Sequence, residues 1–311
     1  MPGFSSFEVD TLSDGKRLDV FLAGAAGELS RSFTQKLITD GMVMINGEIA
    51  ARASYKVRTG ELITVNIPPP GGLEVNPEPI PLDIYYEDGD IIVVNKPRGM
   101  VVHPAAGNYA GTLVNALLYH CRDLSGINGV MRPGIVHRLD KNTSGLIMAA
   151  KNDAAHASLA GQLKDRQVKR RYLALAHGQI KEESGMVDAP IGRDPRNRQK
   201  MAVLDRNSKQ AVTRYQVLDR FAGYTYLKLQ LETGRTHQIR VHLAYIGHPV
   251  VGDPKYGPAR PHFNLDGQFL HAAVLGFKHP RTGLSLEFEA PLPDELKMIL
   301  EKLIYKFPLR P

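Results

Sequence analysis

Between residues 68 and 81 the chain carries six prolines, Pro68, Pro69, Pro70, Pro77, Pro79 and Pro81, beside a Gly71-Gly72 pair. Proline donates no N–H to a helix or a ladder and fixes φ, so no regular element runs through such a stretch. The chain is therefore expected to fold as two bodies: a module over 1–67, a linker over 68–81 and a larger domain over 82–311. With 311 residues and 43% apolar composition, at least the larger part can bury a full core. The longest apolar runs are of the Ile91-Ile92-Val93-Val94 kind, far short of a membrane span. Met1 to Asp10 lacks the basic start and apolar centre of a secretory signal. The one cysteine, Cys121, excludes an internal disulfide and a multi-cysteine zinc site and suits a reducing cytoplasm.

Charge is unevenly spread. Residues 1–81 hold 7 Lys/Arg against 10 Asp/Glu, and residues 82–311 hold 32 against 22, so the chain's net +7 resides in the second part. A polyanion would be gripped mainly there. Within it, Lys164 to Arg171 carries five basic residues and runs directly into Tyr172, with period-two alternation placing Tyr172 opposite Arg171 and Leu173. A phosphate grip followed by a stacking ring is what single-strand recognition needs. Residues 193–214 add Arg193, Arg196, Arg198, Lys200, Arg206, Lys209 and Arg214 against Asp194 and Asp205, and read as a basic loop or hairpin over a cleft.

In the first part, Leu18, Phe21 and Leu22 fall at helical spacing, and Ser30 caps a second helix that buries Phe33, Leu37 and Ile38 and ends at Gly41. A hairpin follows around Asn46-Gly47, then a strand at Leu62 to Ile67. Farther on, Thr112 opens a helix, Asp153 to Lys164 forms another, and strands are expected at Ala211 to Leu218, Tyr226 to Glu232 and Leu284 to Glu289. Strands in runs with helices scattered between them argue for α+β with a largely antiparallel sheet.

The stretch from Gly134 to Lys151 reads as two short apolar strands, Ile135 to Leu139 and Leu146 to Ala150, around a polar turn. Asp140 stands where the first strand ends, between Arg138 and Lys141, whose charge favours its ionised form. Such an acid suits a nucleophile or a base, and equally a turn whose Asx and Thr side chains bond their own backbone. Gly234 makes a turn after a strand, Thr236 can cap a helix with Ile239, Leu243 and Ile246 as its buried stripe, and Arg235 stands at the corner. From there Arg235 either reaches a cleft or lies on the surface. Lys96, His103 and His156 read as ordinary loop or core residues. His237, His242 and His248 lack the spacing of a zinc helix, so no metal is expected, and no dinucleotide, Walker or nucleophile-elbow motif calls for a cofactor.

Four segments in order, Asn95 to Gly99, Gly134 to Gly145 with its His137-Arg138-Leu139-Asp140, Arg170 to Ala174, and Thr233 to His242, resemble the RluA/RluD family of RNA pseudouridine synthases. The first part resembles the alpha-L type RNA-binding module named for a small-subunit ribosomal protein, with Arg31, Lys36, Arg52, Lys56 and Arg58 as its phosphate contacts. The resemblance implies a helix-helix-strand module followed by a catalytic domain with a mainly antiparallel mixed sheet. It implies Asp140 as the catalytic aspartate, Tyr172 as the aromatic against the target base, Arg235 as the ion-pair partner of Asp140, and Arg138 as a holder of the flipped nucleotide. Lys169, Arg170, Arg196, Arg198 and Lys200 are the expected RNA contacts of that domain. The expected reaction is cofactor-free conversion of uridine to pseudouridine, and the expected partner is ribosomal RNA or a pre-ribosomal particle, met by a monomer away from membranes. Two other classes fit: a non-catalytic RNA-binding or ribosome-assembly factor, which would explain the charge and the first module and leaves uridine unmodified, and a nucleic-acid N-glycosylase, which would also use one carboxylate near a sugar and releases free uracil.

Overall fold

The computed structural model describes residues 3–25, 31–67, 75–104, 108–121, 124–125, 133–259 and 263–306, with the side chains of residues 31–33, 36 and 306 outside the description. The expected cap Ser30 and the side chains of Arg31 and Lys36 therefore lie outside the described residues. The chain divides into two compact units, residues 1–73 and 74–311.

The first unit contains β1 (Gly3–Glu8), α1 (Leu18–Ala25), α2 (Arg31–Thr39), β2 (Val43–Ile45), β3 (Glu48–Ile49) and β4 (Leu62–Ile67). Its four strands form one antiparallel sheet in the order β1-β4-β2-β3. Alternate residues of β4, Ile63 and Val65, are fully buried with Leu18, Leu22, Leu37 and Val43. Asn46 and Gly47 take φ of 50° and 89°, the left-handed pair that a two-residue hairpin requires. Arg17 grips the buried Asp19 with two hydrogen bonds of 3.0 and 3.2 Å. Arg52, Lys56 and Arg58 are exposed.

The second unit holds β5 (Ile84–Glu87), β6 (Ile91–Lys96), α3 (Leu113–His120), β7 (Ser144–Ala150), α4 (Asp153–Lys164), β8 (Lys169–His177), β9 (Ser184–Asp188), β10 (Ile191–Arg193), β11 (Met201–Val203) and β12 (Ser208–Lys209). It continues with β13 (Val212–Phe221), β14 (Tyr224–Leu231), α5 (Gln238–Tyr245), β15 (Leu270–Lys278), β16 (Ser285–Glu289) and α6 (Asp294–Lys306). A nine-stranded sheet runs β5-β6-β7-β15-β8-β14-β13-β9 with β16 on β15, and among its described pairs only β7 and β15 are parallel. The architecture is α+β with a mixed, mainly antiparallel sheet. Residues Ile91 to Val94 of β6 and Leu146 to Ala150 of β7 are apolar because both faces are covered: Ile91, Val93, Leu146 and Met148 pack with Ala155 and Leu159 of α4. Ile92, Val94 and Ile147 pack on the other side in the cluster that contains Leu117 of α3, Ile239 of α5 and Ile299 of α6. Among the described residues no helix is long and apolar enough to cross a membrane.

Two expectations change here. Residues 75–81, read as linker, pack on the second unit: Val75 is buried in its core, Asn76 and Glu78 bond Asn115, and the Glu78 carboxylate accepts the Gly111 N–H at 3.1 Å. Proline barred these residues from a ladder but not from lying against one. The segment Ile135 to Leu139 is not a strand; only Ile135 makes an isolated bridge, to Ala149. Strand β15 takes the edge of β7 opposite β6 only at Ser144 and Gly145; farther along that edge the Ala150 N–H bonds the Gly134 carbonyl, but the Met148 N–H goes to His137 Nε2 instead of a backbone carbonyl, so the pairing stops after one bridge. Gly145, at φ 116°, lets β7 begin against the Ala272 backbone, which an added Cβ would strike.

The β5–β6 turn is locked by acids. Burial alone would raise the Asp88 pKa, but N–H groups of Asp90 and Ile91, the Tyr86 hydroxyl and His279 lower it from 3.8 to about 2. Hydrogen bonds from Arg281 and Asn152 lower Asp90 from 3.8 to about 2. Folded-state pKa values below the unfolded ones give stability that is present above pH 3.8 and is lost as pH falls toward about 2. Melting followed by circular dichroism should show this loss, and Asp88→Asn should reduce it while lowering stability at neutral pH.

Candidate active site

A cleft of about 450 Å³ opens in the second unit between the segment carrying Asp140, the start of β8 and the start of α5. Asp140, Arg138, Arg170, Tyr172, Arg235 and Arg240 all line it. Asp140 ends the irregular segment 135–139, and the turn behind it is fastened from several directions. The Asp140 carbonyl accepts the Thr143 N–H at 3.0 Å, and Gln268 donates to the Thr143 hydroxyl at 2.9 Å. The Lys96 ammonium donates to the carbonyls of Pro97, Met100 and Lys141 at 2.8, 2.8 and 3.2 Å, and Arg98 donates to the Asn142 carbonyl at 2.9 Å.

Lys96 is thus no ordinary loop residue. It is fully buried, and burial pulls its pKa from 10.5 to about 7 against the opposing pull of Asp140. A charged residue inside an apolar strand, Ile91-Ile92-Val93-Val94-Asn95-Lys96, was the signal in the sequence: a buried ammonium must find acceptors.

The partner of Asp140 is Arg240, not Arg235. Arg240 donates from one terminal nitrogen to Asp140 Oδ2 at 2.8 Å. Its Nε and other terminal nitrogen grip the two oxygens of Asp253 at 2.6 and 2.8 Å. Arg235 stands before the helix and donates from Nε to the Gln210 carbonyl at 2.9 Å. The difference arises at the helix start. His237, in the left-handed region at φ 56°, is the N-cap in place of Thr236, and it makes no side-chain cap bond. The helix therefore begins later than the sequence suggests, and residue 240, in its first turn, faces Asp140. Every residue from Gln238 to Leu243 is buried, so an arginine there requires a counter-charge.

Burial favours loss of the Arg240 proton, but Asp253 and Asp140 outweigh it and raise the pKa above the ordinary arginine value. Burial would likewise raise Asp253; Arg240 and the N–H groups of Lys255 and Tyr256 hold it below the ordinary aspartate value. The Arg240 guanidinium also lies over the Tyr256 ring, 5.2 Å from its centroid. The Tyr256 hydroxyl accepts the Met201 N–H at 2.9 Å and bonds His237 Nδ1 at 2.7 Å. His237 Nε2 stands 3.8 Å from Asp140 Oδ1. Burial lowers the His237 pKa to about 4, so the ring is neutral at pH 7.

Tyr172 is 7% exposed with its phenol held protonated by burial. Arg138 is exposed at the rim. Arg170 shares Tyr172's face of β8 and is buried, whereas Lys169 pairs with Glu287 at 2.5 Å. Neither is the open surface cation that the basic run suggested. Arg196 and Arg198 are exposed between β10 and β11, and Lys200 is partly buried. The donors in the cleft, one carboxylate beside several arginines, suit an anionic ligand. Metal-capable groups lie elsewhere in the unit, Glu87–His120–Cys121 and Asp88–Asp90–His279, with their carboxylates already taken by cations or N–H groups.

Residues 90–245 match the family model described as RNA pseudouridylate synthase, and residues 16–63 match the S4 domain. The uncharacterized RNA pseudouridine synthase YlyB of Bacillus subtilis is 58% identical over 93% of this chain and 94% of its own. Ribosomal large subunit pseudouridine synthase D of Zymomonas mobilis is 47% identical over 93% of this chain and 94% of its own. The solved structure of human RNA Pseudouridylate Synthase Domain Containing 1 superposes with a TM-score of 0.57 at 29% identity, covering 76% of this chain and 97% of that one. The chain belongs to the RNA pseudouridylate synthase family and is an RNA pseudouridine synthase carrying an S4 RNA-binding module.

Because Arg240 fixes the carboxylate and Arg235 does not, Arg240→Ala should slow single-turnover conversion of uridine by about a hundredfold or more. Arg235→Ala should change RNA affinity more than rate. Quench kinetics alongside filter binding check both, and equal rate losses would contradict the geometry.

Proposed function

We propose that the protein converts uridine to pseudouridine in large-subunit ribosomal RNA, with Asp140 as the reacting acid and with no cofactor. The observation that carries this reading is the Asp140 carboxylate, held at the cleft by Arg240 at 2.8 Å, with Tyr172 and Arg138 lining the same cleft. The substrate class follows from relatives such as the Zymomonas mobilis enzyme, whose name specifies the ribosomal large subunit. The S4 module, with exposed Arg52, Lys56 and Arg58, supplies a second RNA contact.

Isomerisation requires the uracil to leave N1, turn, and rejoin the same sugar through carbon. A stacked base is out of reach of a side chain, so the nucleotide is extruded into the cleft, at an unstacking cost of about a few kcal/mol that phosphate contacts offset. Arg138 at the rim holds the extruded nucleotide, and the Tyr172 ring packs against the uracil. Asp140 then reacts at the sugar or the uracil ring, or takes a sugar proton. Fixing one Asp140 oxygen on Arg240 leaves the other facing the cleft, and burial keeps water from competing. Arg196 and Arg198 grip phosphates outside it.

The test is release of tritium from C5 of labelled uridine in ribosomal RNA fragments, with free uracil measured in parallel. Asp140→Asn should lose turnover by about a thousandfold or more while RNA affinity stays within a few-fold. Turnover retained by this variant would remove Asp140 from the chemistry. Free uracil would mark a glycosylase, and no tritium release from the wild type would mark a non-catalytic binder. Arg196→Ala combined with Arg198→Ala should reduce the salt slope of binding by about two, the value for two lost phosphate contacts.

A further inference from the structure

Among the described residues Arg170 is a buried cation with neither a carboxylate nor an acceptor for its Nε, unlike Lys96, which holds three carbonyls. It lies two residues before Tyr172 on the same face of β8, lines the cleft and is 7% exposed. Its Nε is sealed from solvent with no hydrogen-bond partner. Among the described residues no carboxylate lies within ion-pair distance of its guanidinium, unlike Arg240, which holds two, and Arg98, which pairs with Glu295. A desolvated guanidinium with unused donors costs stability, and the cost is recovered when a ligand brings negative charge to it. Its surroundings leave it no alternative. His137 accepts the Met148 N–H on Nε2, and a Cβ built on Gly234 would stand 2.6 Å from an Arg170 terminal nitrogen. Gly234 therefore leaves room for the guanidinium against the cleft wall.

We propose that Arg170 receives the negative charge that uracil acquires when its bond to the ribose breaks, its N–H groups donating to a carbonyl oxygen of the detached base. The proposal rests on the isomerase reading above. The bond between C1′ and N1 breaks with its electron pair remaining on uracil, where it spreads over N1 and the ring carbonyl oxygens. Asp140 meets the sugar's deficit, by bonding to C1′ or by taking the 2′ proton. After the ring turns, C5 bonds to C1′, the carboxylate is freed or the 2′ proton returned, and the proton lost from C5 is matched by one gained at N1. A guanidinium already stripped of water and fixed beside Tyr172 favours the charged base over the neutral one, which is where transition-state stabilisation is gained. A phosphate fits the position less well. It stays on the RNA backbone, near the exposed Arg138 and Lys164 at the rim, whereas Arg170 is buried inside the cleft on the same strand face as Tyr172.

The experiment compares uridine with 5-fluorouridine at the target position of the same RNA under single turnover. The readout is loss of the parent nucleoside after nuclease digestion. Fluorine at C5 makes the uracil anion more stable, so its departure depends less on Arg170. Arg170→Gln should slow consumption of uridine by about a hundredfold or more and of 5-fluorouridine by about tenfold or less, with affinity and salt slope unchanged. Gly234→Ala keeps the charge but pushes the guanidinium away, and it should give the same selective loss in milder form; it carries the test alone should Arg170→Gln fail to fold. Equal slowing of both substrates, no slowing, or a loss of affinity with the salt slope falling by about one, the mark of a phosphate contact, would overturn the proposal. A wild-type protein that converts no uridine would instead overturn the isomerase reading on which it rests.

Discussion

The guanidinium of Arg240, shared between Asp140 and Asp253, is the interaction on which the site depends. Three ionised groups are taken largely out of water there, at a desolvation cost that their mutual attraction only partly recovers. That cost secures geometry. Asp253 occupies two nitrogens of the planar fork and leaves the third directed at Asp140 Oδ2, so the carboxylate has one bound oxygen and one that faces the cleft. A lysine could neutralise Asp140 but could not fix its plane.

The framework around this interaction comes from the sheet. Because β6 and β7 are covered on both faces, the turn between Asp140 and Ser144 is held at the rim of a rigid layer. Lys96, the last residue of β6, and Arg98 beyond it bond carbonyls of that turn. Gln238 stitches the opposite wall, accepting the Arg235 N–H and the Thr233 hydroxyl while donating to Val212 and Thr213 of β13. Tyr256 then joins the wall to the small sheet of β10, β11 and β12 through the Met201 N–H. The acid, its arginine and the basic hairpin are thus parts of one bonded assembly.

Local rules made much of this visible in the sequence. Helix spacing located α1, α3 and α4, the Asn46-Gly47 pair announced its hairpin, and the motifs around Asp140 and Arg170 resembled the family to which the chain belongs. What stayed hidden depended on contacts between residues far apart in the chain. Whether Ile135 to Leu139 would pair with β7 was decided by the His137 side chain, which takes the Met148 N–H that a partner strand's carbonyl would accept. Whether Arg235 or Arg240 would meet Asp140 was decided by the phase of α5, set by a histidine in the left-handed region at its cap. Pattern reading assigns that conformation first to glycine or asparagine. Residues 75–81 have the composition of a linker, and only the docking of Val75 and Glu78 beside α3 shows them as part of the domain.

The central claim is that Asp253, Arg240 and Asp140 act as one unit, and a double-mutant cycle on single-turnover rates tests it most directly. Asp253→Asn and Arg240→Lys each disturb the same fork, so the double variant should be about as slow as the slower single variant. Rate losses that multiply across the two positions would contradict the account, because they would mean that Asp253 and Arg240 reach the chemistry by separate routes.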